Sequence, residues 1–363
     1  MEFDNLKIDG KQYSKAELEK LADDKLNAKT TKEYERSLYT FIKEWLAPSD
    51  VLAVKTSGST GAPKQMMFKK NQMIASAKMT CDYFKFSPEI NMLLCLSTDF
   101  IAGKMMVVRA FVSGANIIAV EPGNNPLQGL GKKIDFVAMI PSQVKESLTH
   151  EKTKKAFESI DNVIIGGAPV VHSFEKVLSG CPNNVYATFA MTETLSHIAL
   201  KKLSGKNKDD AFELFPGIKI SEDERGCLAI DAPMLSDDII ITNDMVDIVD
   251  KTHFRWLGRY DNVINSGGVK LFPEKIEEKL SHVIKKNRFF ISSVPDEKYG
   301  DKLVLVVESA NENEVLQLKG EIENALDKYE KPKEYFCLGK FIETLNGKVK
   351  RPESLKAAKA LNS

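Results

Sequence analysis

Short apolar runs alternate along the first half of the chain with segments whose apolar residues recur every three or four positions. The runs have the length of buried β-strands, and the periodic segments are typical of helices that bury one face. The pattern predicts strands at 91–98, 115–120, 135–140 and 161–167, and helices at 70–82, 103–112, 142–149 and 172–179. This alternation predicts an α/β fold with a mainly parallel sheet flanked by helices.

Two helices are predicted before these elements, each by a capping box at its start. Ser14 and Glu17 have the spacing at which the two side chains satisfy each other's free backbone N–H groups. Thr30 and Glu33 have the same spacing and precede apolar residues at helical intervals up to Leu46. We interpret the aromatic residues of the second helix as facing the core.

The chain is predicted to form two domains, since 363 residues is about twice an average domain. After residue 258 the pattern becomes a short α+β unit, with elements at 273–285, 289–294, 302–308, 313–328 and 334–338. The predicted domains are 1–258 and 259–363. No Pro- or Ser-rich linker separates them, so we expect a short joint.

Composition argues against several classes of function. Lys plus Arg and Asp plus Glu number 51 each, so no global field favours nucleic acid or an anionic membrane. The first residues lack the pattern of a signal peptide, and no apolar run reaches the roughly 20 residues of a membrane span. The five cysteines are scattered without a CxxC pair, and the five histidines are dispersed. We therefore expect no zinc site and a reduced, cytoplasmic chain.

The first candidate for chemistry is the stretch TSGSTGAPK at 56–64, which follows an apolar run. Its glycines allow backbone N–H groups to face phosphate oxygens, its hydroxyls add donors, and Lys64 adds a cation. The GxxxxGK[ST] spacing of a P-loop is absent, which disfavours a P-loop kinase or GTPase. These properties alone are compatible with a phosphate-binding loop or a Ser/Gly turn.

The stretch resembles the phosphate loop of adenylate-forming enzymes, which include acyl- and aryl-CoA ligases, firefly luciferase and nonribosomal-peptide adenylation domains. Similar motifs follow in the family's order at 165–169 (IGGAP), 189–194 (FAMTET), 241–244 (ITND), 258–277 (GRYDNVINSGGVKLFPEKIE) and 344–351 (TLNGKVKR). The resemblance spans residues 51 to 351, and the shared order argues against chance. It implies a large adenylate-forming domain, a small mobile lid, and ATP, Mg²⁺ and coenzyme A as ligands.

The resemblance also implies roles for individual residues of a nucleotide site. Thr192 would contact the adenylate phosphate, Glu193 would help to hold Mg²⁺, and Asp244 would bind the ribose hydroxyls. Arg259 would contact ribose or phosphate, and Lys270 matches a basic position in relatives. The other implied nucleotide-binding residues are Thr56, Ser57, Gly58, Ser59, Thr60, Gly61, Gly167, Ala168 and Phe189.

A moving part is implied as well. Lys348 matches the lysine that bridges the acid and the α-phosphate during adenylation, where Lys64 also acts. Asp261 matches the hinge, whose torsions change as the lid turns. Gly267 and Gly268 would approach the thiol of coenzyme A.

Three positions depart from the family's pattern. Phe189 and Ala190 replace Tyr and Gly, and Asn243 replaces Gly. Ala190 implies an ordinary or a strained backbone, whereas asparagine tolerates the left-handed conformation better than most residues. The chain is also shorter than typical relatives before the phosphate loop, which affects the expected acid pocket.

Residues 191–199 resemble most closely the o-succinylbenzoate–CoA ligases of menaquinone synthesis. Ser196 and His197 follow Glu193 and would face the acid, with His197 as a donor to a second carboxylate or a keto group. Arg109 lies on an apolar helical stretch and is a further candidate, because a buried carboxylate needs a cation. The residues alone favour an ordinary surface arginine over this role, and they equally allow His197 to be an ordinary core or surface histidine.

Other interpretations stay open at this point. A different aryl- or fatty-acyl-CoA ligase would differ only in its pocket residues. An amino-acid adenylating enzyme typically has an acidic residue for the substrate amine, and none is identified. A non-catalytic adenylate-binding protein is disfavoured by the five retained residues Lys64, Glu193, Asp244, Arg259 and Lys348. A homo-oligomer is also left open.

Overall fold

The structure is a computed structural model, and it describes residues 3–55, 65–205, 209–343 and 349–361. The helices are α1 (Lys15–Asn27), α2 (Glu33–Leu46), α3 (Lys70–Phe84), α4 (Ile101–Ser113), α5 (Pro141–Ser147), α6 (Glu151–Glu158), α7 (His172–Leu178), α8 (Pro273–Leu280), α9 (Glu312–Gln317), α10 (Lys319–Ala325) and α11 (Arg351–Leu361). The first strands are β1 (Leu6–Ile8), β2 (Lys11–Tyr13), β3 (Val51–Lys55), β4 (Gln65–Lys69), β5 (Asn91–Leu94), β6 (Asn116–Ala119), β7 (Phe136–Met139), β8 (Asn162–Ile165), β9 (Asn184–Ala190) and β10 (His197–Lys202). They are followed by β11 (Phe212–Leu214), β12 (Lys219–Glu222), β13 (Cys227–Asp231), β14 (Ile240–Ile248), β15 (His253–Arg259), β16 (Ile264–Ser266), β17 (Val269–Leu271), β18 (Phe289–Asp296), β19 (Gly300–Glu308) and β20 (Glu334–Leu338).

One large sheet organises the described residues up to Arg259. Its strand order is β12-β13-β14-β15-β11-β10-β9-β8-β7-β5-β6-β1-β2. The strands from β9 to β1 in this order are parallel neighbours, and the remaining pairs are antiparallel. The predicted α/β class is confirmed, but the sheet is mixed rather than mainly parallel. Apart from the β1–β2 pair, the antiparallel part is formed by the strands after residue 196, where no long apolar runs mark them.

The parallel strands are buried on both faces, as expected for strands between two helical layers. Phe136 and Ala138 of β7 pack in the core that contains α1 to α4. Val137 and Met139 of the same strand pack on the other face, against α5, α6 and α7. The four predicted strands and four predicted helices of this region are confirmed with small shifts at their ends.

The start of α1 agrees with its predicted capping box, whereas the start of α2 does not. The Glu17 carboxylate accepts the Ser14 backbone N–H at 2.8 Å. The second helix begins two residues later than predicted, with Lys32 as its N-cap, and Glu35 accepts the Lys32 N–H at 3.2 Å. The prediction of a box at Thr30 is therefore wrong in register, although the apolar face of α2 is buried as expected.

The residues after Arg259 form a second sheet, with strand order β17-β16-β19-β18 and β20 beside β19. One of its faces is covered by α8, α9 and α10, and the other by α11. The helix predicted at 313–328 is divided into α9 and α10 at Leu318, and the helix predicted at 273–285 ends at Leu280. The hairpin of β16 and β17 and the helix α11 were not predicted.

Two further expectations concern thiols and membranes. All five cysteines lie in the described residues, where they are buried and form no disulfide. Burial raises the pKa of the Cys81 and Cys95 thiols to about 12. Among the helices of the described ranges, none combines the length and the apolar character that crossing a bilayer requires.

Candidate active site

Two predicted motifs lie outside the described residues. They are the stretch with Thr56, Ser57, Gly58, Ser59, Thr60, Gly61 and Lys64, and the stretch with Lys348. Their flanks are described: Lys55 pairs with Gln65 between β3 and β4, and Glu343 forms a bridge with Val349. The roles of both stretches stay predictions.

The carboxyl ends of neighbouring parallel strands bring the glycine motif and the Thr-Glu motif together. Residues 166–168 follow β8, and Thr192 and Glu193 follow the adjacent strand β9. A Cβ on Gly166 would lie 2.6 Å from the Thr188 hydroxyl, so only glycine fits between the two strands there. The crevice at the carboxyl edge of parallel strands is where ligands bind to open α/β sheets.

A strained turn separates Glu193 from the residues predicted to meet the acid. Leu195 has φ of +64°, and the Ser196 N–H donates across it to the Thr194 carbonyl oxygen at 2.7 Å. The buried Thr194 hydroxyl lies 2.7 Å from the Ser196 carbonyl oxygen and 3.1 Å from the Met191 carbonyl oxygen. A positive φ at leucine costs roughly 1–3 kcal/mol and persists only where the surroundings impose it. The turn leaves Glu193 exposed and directs Ser196 inward.

Arg109 lies 87 positions before Ser196, and the fold brings it together with Ser196 and its neighbour His197 as a polar cluster inside the protein. Nη2 of Arg109 donates to Ser196 Oγ at 2.5 Å and lies 3.5 Å from His197 Nδ1. Nε2 of His197 lies 3.2 Å from the Thr80 hydroxyl on α3, which sequence reasoning missed. Arg109 is only 2% exposed, so its interpretation as a surface arginine is wrong.

The charge of this cluster is not balanced. Within the described part of the chain, no carboxylate forms an ion pair with Arg109, and its Nε has no hydrogen-bond partner. The buried Ser76 hydroxyl on α3 also lacks one. Burial lowers the pKa of Arg109 to about 10, and burial together with the Arg109 charge lowers the pKa of His197 well below 6.5. Since an unpaired buried cation is costly, the cluster is a candidate site for an anion.

Asp244 and Arg259 lie opposite each other on β14 and β15. Oδ2 of Asp244 lies 3.6 Å from Nη1 of Arg259, and Oδ1 accepts the indole N–H of Trp256 at 2.9 Å. Sequence reasoning missed Trp256. Its position three residues before Arg259 is the only sequence signal that could have identified it.

The two non-glycine replacements have ordinary backbones. Asn243 lies within β14 and Ala190 ends β9, and neither has a positive φ. Asn243 therefore does not use the left-handed conformation that asparagine tolerates. Its side chain instead accepts from Arg225 at 2.8 Å and donates to the predicted hinge residue Asp261 at 3.3 Å. Asp261 itself lies in a 3₁₀ turn at Tyr260–Asn262.

Local backbone geometry accounts for the two glycines predicted near coenzyme A. Gly267 and Gly268 form the turn between β16 and β17, with φ of +58° and +83°. A two-residue hairpin turn with two positive φ values favours glycine at both positions. Lys270 is exposed on β17. The contact of these residues with coenzyme A stays a prediction.

Phe189 and Glu193 differ in their availability to ligands. The Phe189 ring is 8% exposed and packs edge-on against Phe212 and Phe254, so most of it belongs to the core. Glu193 is exposed and forms no ion pair or hydrogen bond with any described residue. A free carboxylate of this kind fits Mg²⁺, which binds one or two carboxylates together with substrate phosphates. No group of three metal-binding side chains occurs in the described ranges.

Comparison with known proteins gives a family and several relatives. The sequence profile of a family described as AMP-binding enzyme matches residues 4–224. A solved structure of an acyl-CoA synthetase (AMP-forming)/AMP-acid ligase II-like protein from Dyadobacter fermentans is 36% identical, with a TM-score of 0.62. The match covers 94% of this chain and 98% of that protein.

Two more distant relatives carry a specific name. The 2-succinylbenzoate–CoA ligase of Salmonella typhimurium is 24% identical over 337 residues, which cover 88% of this chain and 71% of that enzyme. The o-succinylbenzoate coenzyme A synthetase of Bacillus subtilis, solved with ATP and magnesium ion, is 18% identical with a TM-score of 0.69. That match covers 84% of this chain and 69% of that enzyme, and it indicates a shared fold.

Proposed function

Because the chain belongs to the AMP-binding enzyme family, we propose that it is an ATP-dependent acid–CoA ligase that acts on o-succinylbenzoate in menaquinone biosynthesis. The names of the Salmonella and Bacillus relatives support this substrate. The observation that carries the choice is the unpaired, buried guanidinium of Arg109 beside Ser196. This acid has two carboxylates, so one can react while Arg109 neutralises the other.

The first half-reaction joins the acid to the nucleotide. A carboxylate oxygen of the acid attacks the α-phosphorus of ATP, a C–O–P linkage forms, and the bond to pyrophosphate breaks. Lys64 and Thr192 bind phosphate oxygens, and Lys348 bridges the acid and the α-phosphate. Positioning and charge neutralisation therefore supply most of the catalysis.

The nucleotide is held by groups at the ends of the sheet strands. The Asp244 carboxylate accepts hydrogen bonds from the ribose hydroxyls, and Arg259 lies beside it. Gly167, Ala168 and Phe189 lie toward the adenine. Glu193 holds Mg²⁺, which when bound neutralises part of the polyphosphate charge.

The second half-reaction makes the thioester. The thiol of coenzyme A attacks the acyl carbon, the C–S bond forms, and AMP leaves with its phosphate oxygen. Between the two steps the lid, residues 259–363, turns against residues 1–258 about Asp261, so Lys348 leaves and Gly267 and Gly268 approach the thiol. Among the described residues the Asp261 carboxylate accepts long hydrogen bonds, of 3.3 and 3.4 Å, from Asn243 and Arg259, whereas the neighbouring Asn262 side chain donates to Glu274 at 2.5 Å.

The cellular setting follows from the ligands and the thiols. ATP and coenzyme A are available in the cytoplasm, and five buried cysteines without a disulfide among the described residues suit a reducing compartment. We therefore assign the enzyme to the cytoplasm.

The direct test is product analysis. The protein is incubated with o-succinylbenzoate, ATP, Mg²⁺ and coenzyme A, and the products are identified by mass spectrometry. We expect o-succinylbenzoyl-CoA, AMP and pyrophosphate in equal amounts. Formation of ADP would contradict the adenylate route. Thioester formation only with another aryl or fatty acid would mean that this acid, and not o-succinylbenzoate, is the substrate.

A further inference from the structure

The carboxylate proposed to bind the ribose is fixed by its neighbours before any nucleotide arrives. Oδ1 of Asp244 accepts the Trp256 indole N–H at 2.9 Å, and Oδ2 lies 3.6 Å from Arg259 Nη1. The Asp244 backbone N–H also donates to the Thr242 hydroxyl at 3.0 Å. With its side chain 12% exposed, Asp244 keeps only a limited surface for a ligand.

Trp256 reaches this carboxylate because of an irregularity in the strand pairing. Asp244 is opposite Arg259 and Val246 is opposite Trp256, and the register shifts between Met245 and Val246. Such a bulge increases the local twist and re-aims side chains. The indole can therefore reach diagonally across the ladder, a distance that aromatic side chains span.

We infer that Trp256 is a positioning residue of the nucleotide site, which holds Oδ1 of Asp244 so that the carboxylate presents its remaining lone pairs to the ribose hydroxyls. This inference rests on the proposed function, since it assumes that Asp244 binds ribose. An indole N–H is a donor only, so its bond with the carboxylate has one orientation. Hydrogen bonds to ionised groups are about twice as strong as neutral ones.

The consequence is preorganisation of the ribose contact. A carboxylate that is free to rotate must be ordered when the nucleotide binds, and that ordering weakens affinity. Trp256 removes this cost for Asp244 without contacting the nucleotide. The contribution of Trp256 to nucleotide affinity should therefore depend on the presence of the ribose hydroxyls.

The test compares two nucleotides on the full-length protein by titration calorimetry. Trp256→Phe keeps an aromatic ring and removes the donor. We expect the Kd for ATP to rise about tenfold, as for loss of one bond to a charged group. The Kd for 2′,3′-dideoxyATP, which offers Asp244 no hydroxyl, should change less than about twofold on the same reasoning.

A matched variant and a spectroscopic signal support this measurement. The chain contains two tryptophans, and the other, Trp45, is fully buried with its indole donating to the Phe3 carbonyl oxygen. Trp45→Phe should leave both affinities unchanged. It also leaves Trp256 as the sole indole emitter, whose fluorescence should respond to ATP and much less to 2′,3′-dideoxyATP.

The outcomes separate this inference from the proposed function. Equal losses for both nucleotides in Trp256→Phe, or no loss for either, would overturn the inference while ATP binding by the unaltered protein stands. Failure of the unaltered protein to bind ATP would overturn the proposed function and the inference with it.

Discussion

At the scale of the residue, the arrangement around Leu195 connects two proposed sites. Its positive φ turns the chain so that Glu193 stays exposed while Ser196 and His197 enter the polar cluster with Arg109. The sequence signals Glu193 and Ser196 through motif resemblance, but it does not signal the turn, because leucine is a poor candidate for a left-handed conformation. The contact from Thr80 to His197 spans 117 positions and is likewise invisible to local pattern.

The first prediction concerns Arg109. Arg109→Met keeps most of the side-chain volume and removes the charge. We expect kcat/KM for o-succinylbenzoate to fall about 100-fold, as for the loss of a buried charge contact, while KM for ATP stays unchanged. Stability should not fall, because the cation has no carboxylate partner within the described residues.

Lys104 on the same helix provides the matched control for this variant. It is also buried, but it pairs with Glu44 at 3.2 Å, away from the cluster. Lys104→Met should therefore leave kcat/KM for the acid unchanged. An unchanged kcat/KM in Arg109→Met would remove Arg109 from the acid site.

The second prediction concerns the pH dependence of folding. The pKa of His197 in the folded protein lies well below 6.5, because burial and the Arg109 charge disfavour its protonated form. Between its unfolded pKa of about 6.5 and its lower folded pKa, His197 therefore binds a proton in the unfolded chain only. Over that range the free energy of unfolding falls by up to about 1.4 kcal/mol for each unit that the pH decreases.

Urea unfolding between pH 5 and 7 measures this slope. His197→Gln should flatten it relative to the unaltered protein, whereas His150→Gln should not, since the His150 side chain is 70% exposed. Equal slopes in the unaltered protein and in His197→Gln would mean that His197 is protonated in the folded state.

At the scale of the element, the parallel part of the sheet could be predicted because both of its faces are buried, which produces continuous apolar runs. The strands β11, β12, β14 and β15 escaped prediction because many of their residues are half-exposed, so no apolar run marks them. The helix predicted at 313–328 is interrupted at Leu318, and the nearest helix-weakening residue is Gly320, two positions later.

The third prediction concerns the attachment of α11 to α8. Arg351 forms a two-pronged ion pair with Glu277, at 2.8 and 2.9 Å, just after the stretch that contains Lys348. Burial raises the pKa of Glu277 to about 7, and Arg351 opposes this rise. Arg351→Met should destabilise the protein by about 2 kcal/mol, less than for a fully buried pair because Glu277 is 18% exposed.

The pH dependence and a second variant test this pair. The folded-state pKa of Glu277 lies above that of the unfolded chain, so its ionisation costs stability as pH rises through that range. The loss in Arg351→Met should therefore be greater at pH 8 than at pH 6. Adding Glu277→Gln should restore most of the stability, and simple additivity of the two changes would contradict the pairing.

At the scale of the whole molecule, the account requires one site to serve two reactions through rotation of the lid. The short 3₁₀ turn at Tyr260–Asn262 joins β15 of the large sheet to β16 of the small one. The short joint was predicted from the change of pattern after residue 258 and the absence of a Pro- or Ser-rich linker there. The proposed rotation of the lid is not encoded in a local sequence pattern.

The fourth prediction tests this rotation. Asp261→Pro fixes φ near −65° and restricts the hinge. We expect adenylation to survive and thioester formation to fall at least about tenfold, as for a blocked conformational step. Asp261→Ala, which leaves the torsions free, should retain both reactions; unchanged thioester output in Asp261→Pro would remove Asp261 as the hinge.

The measurement that tests the central claim most directly is acid-dependent exchange of pyrophosphate into ATP. The protein is assayed with o-succinylbenzoate and, separately, with benzoate, a medium-chain fatty acid and a mixture of amino acids. We predict exchange with o-succinylbenzoate alone. Benzoate and the fatty acid lack a second carboxylate for Arg109, and the dicarboxylic amino acids of the mixture carry an ammonium group that would lie beside the Arg109 cation. Exchange with none of these acids, despite ATP binding, would contradict the assignment as a ligase and favour a non-catalytic adenylate-binding protein.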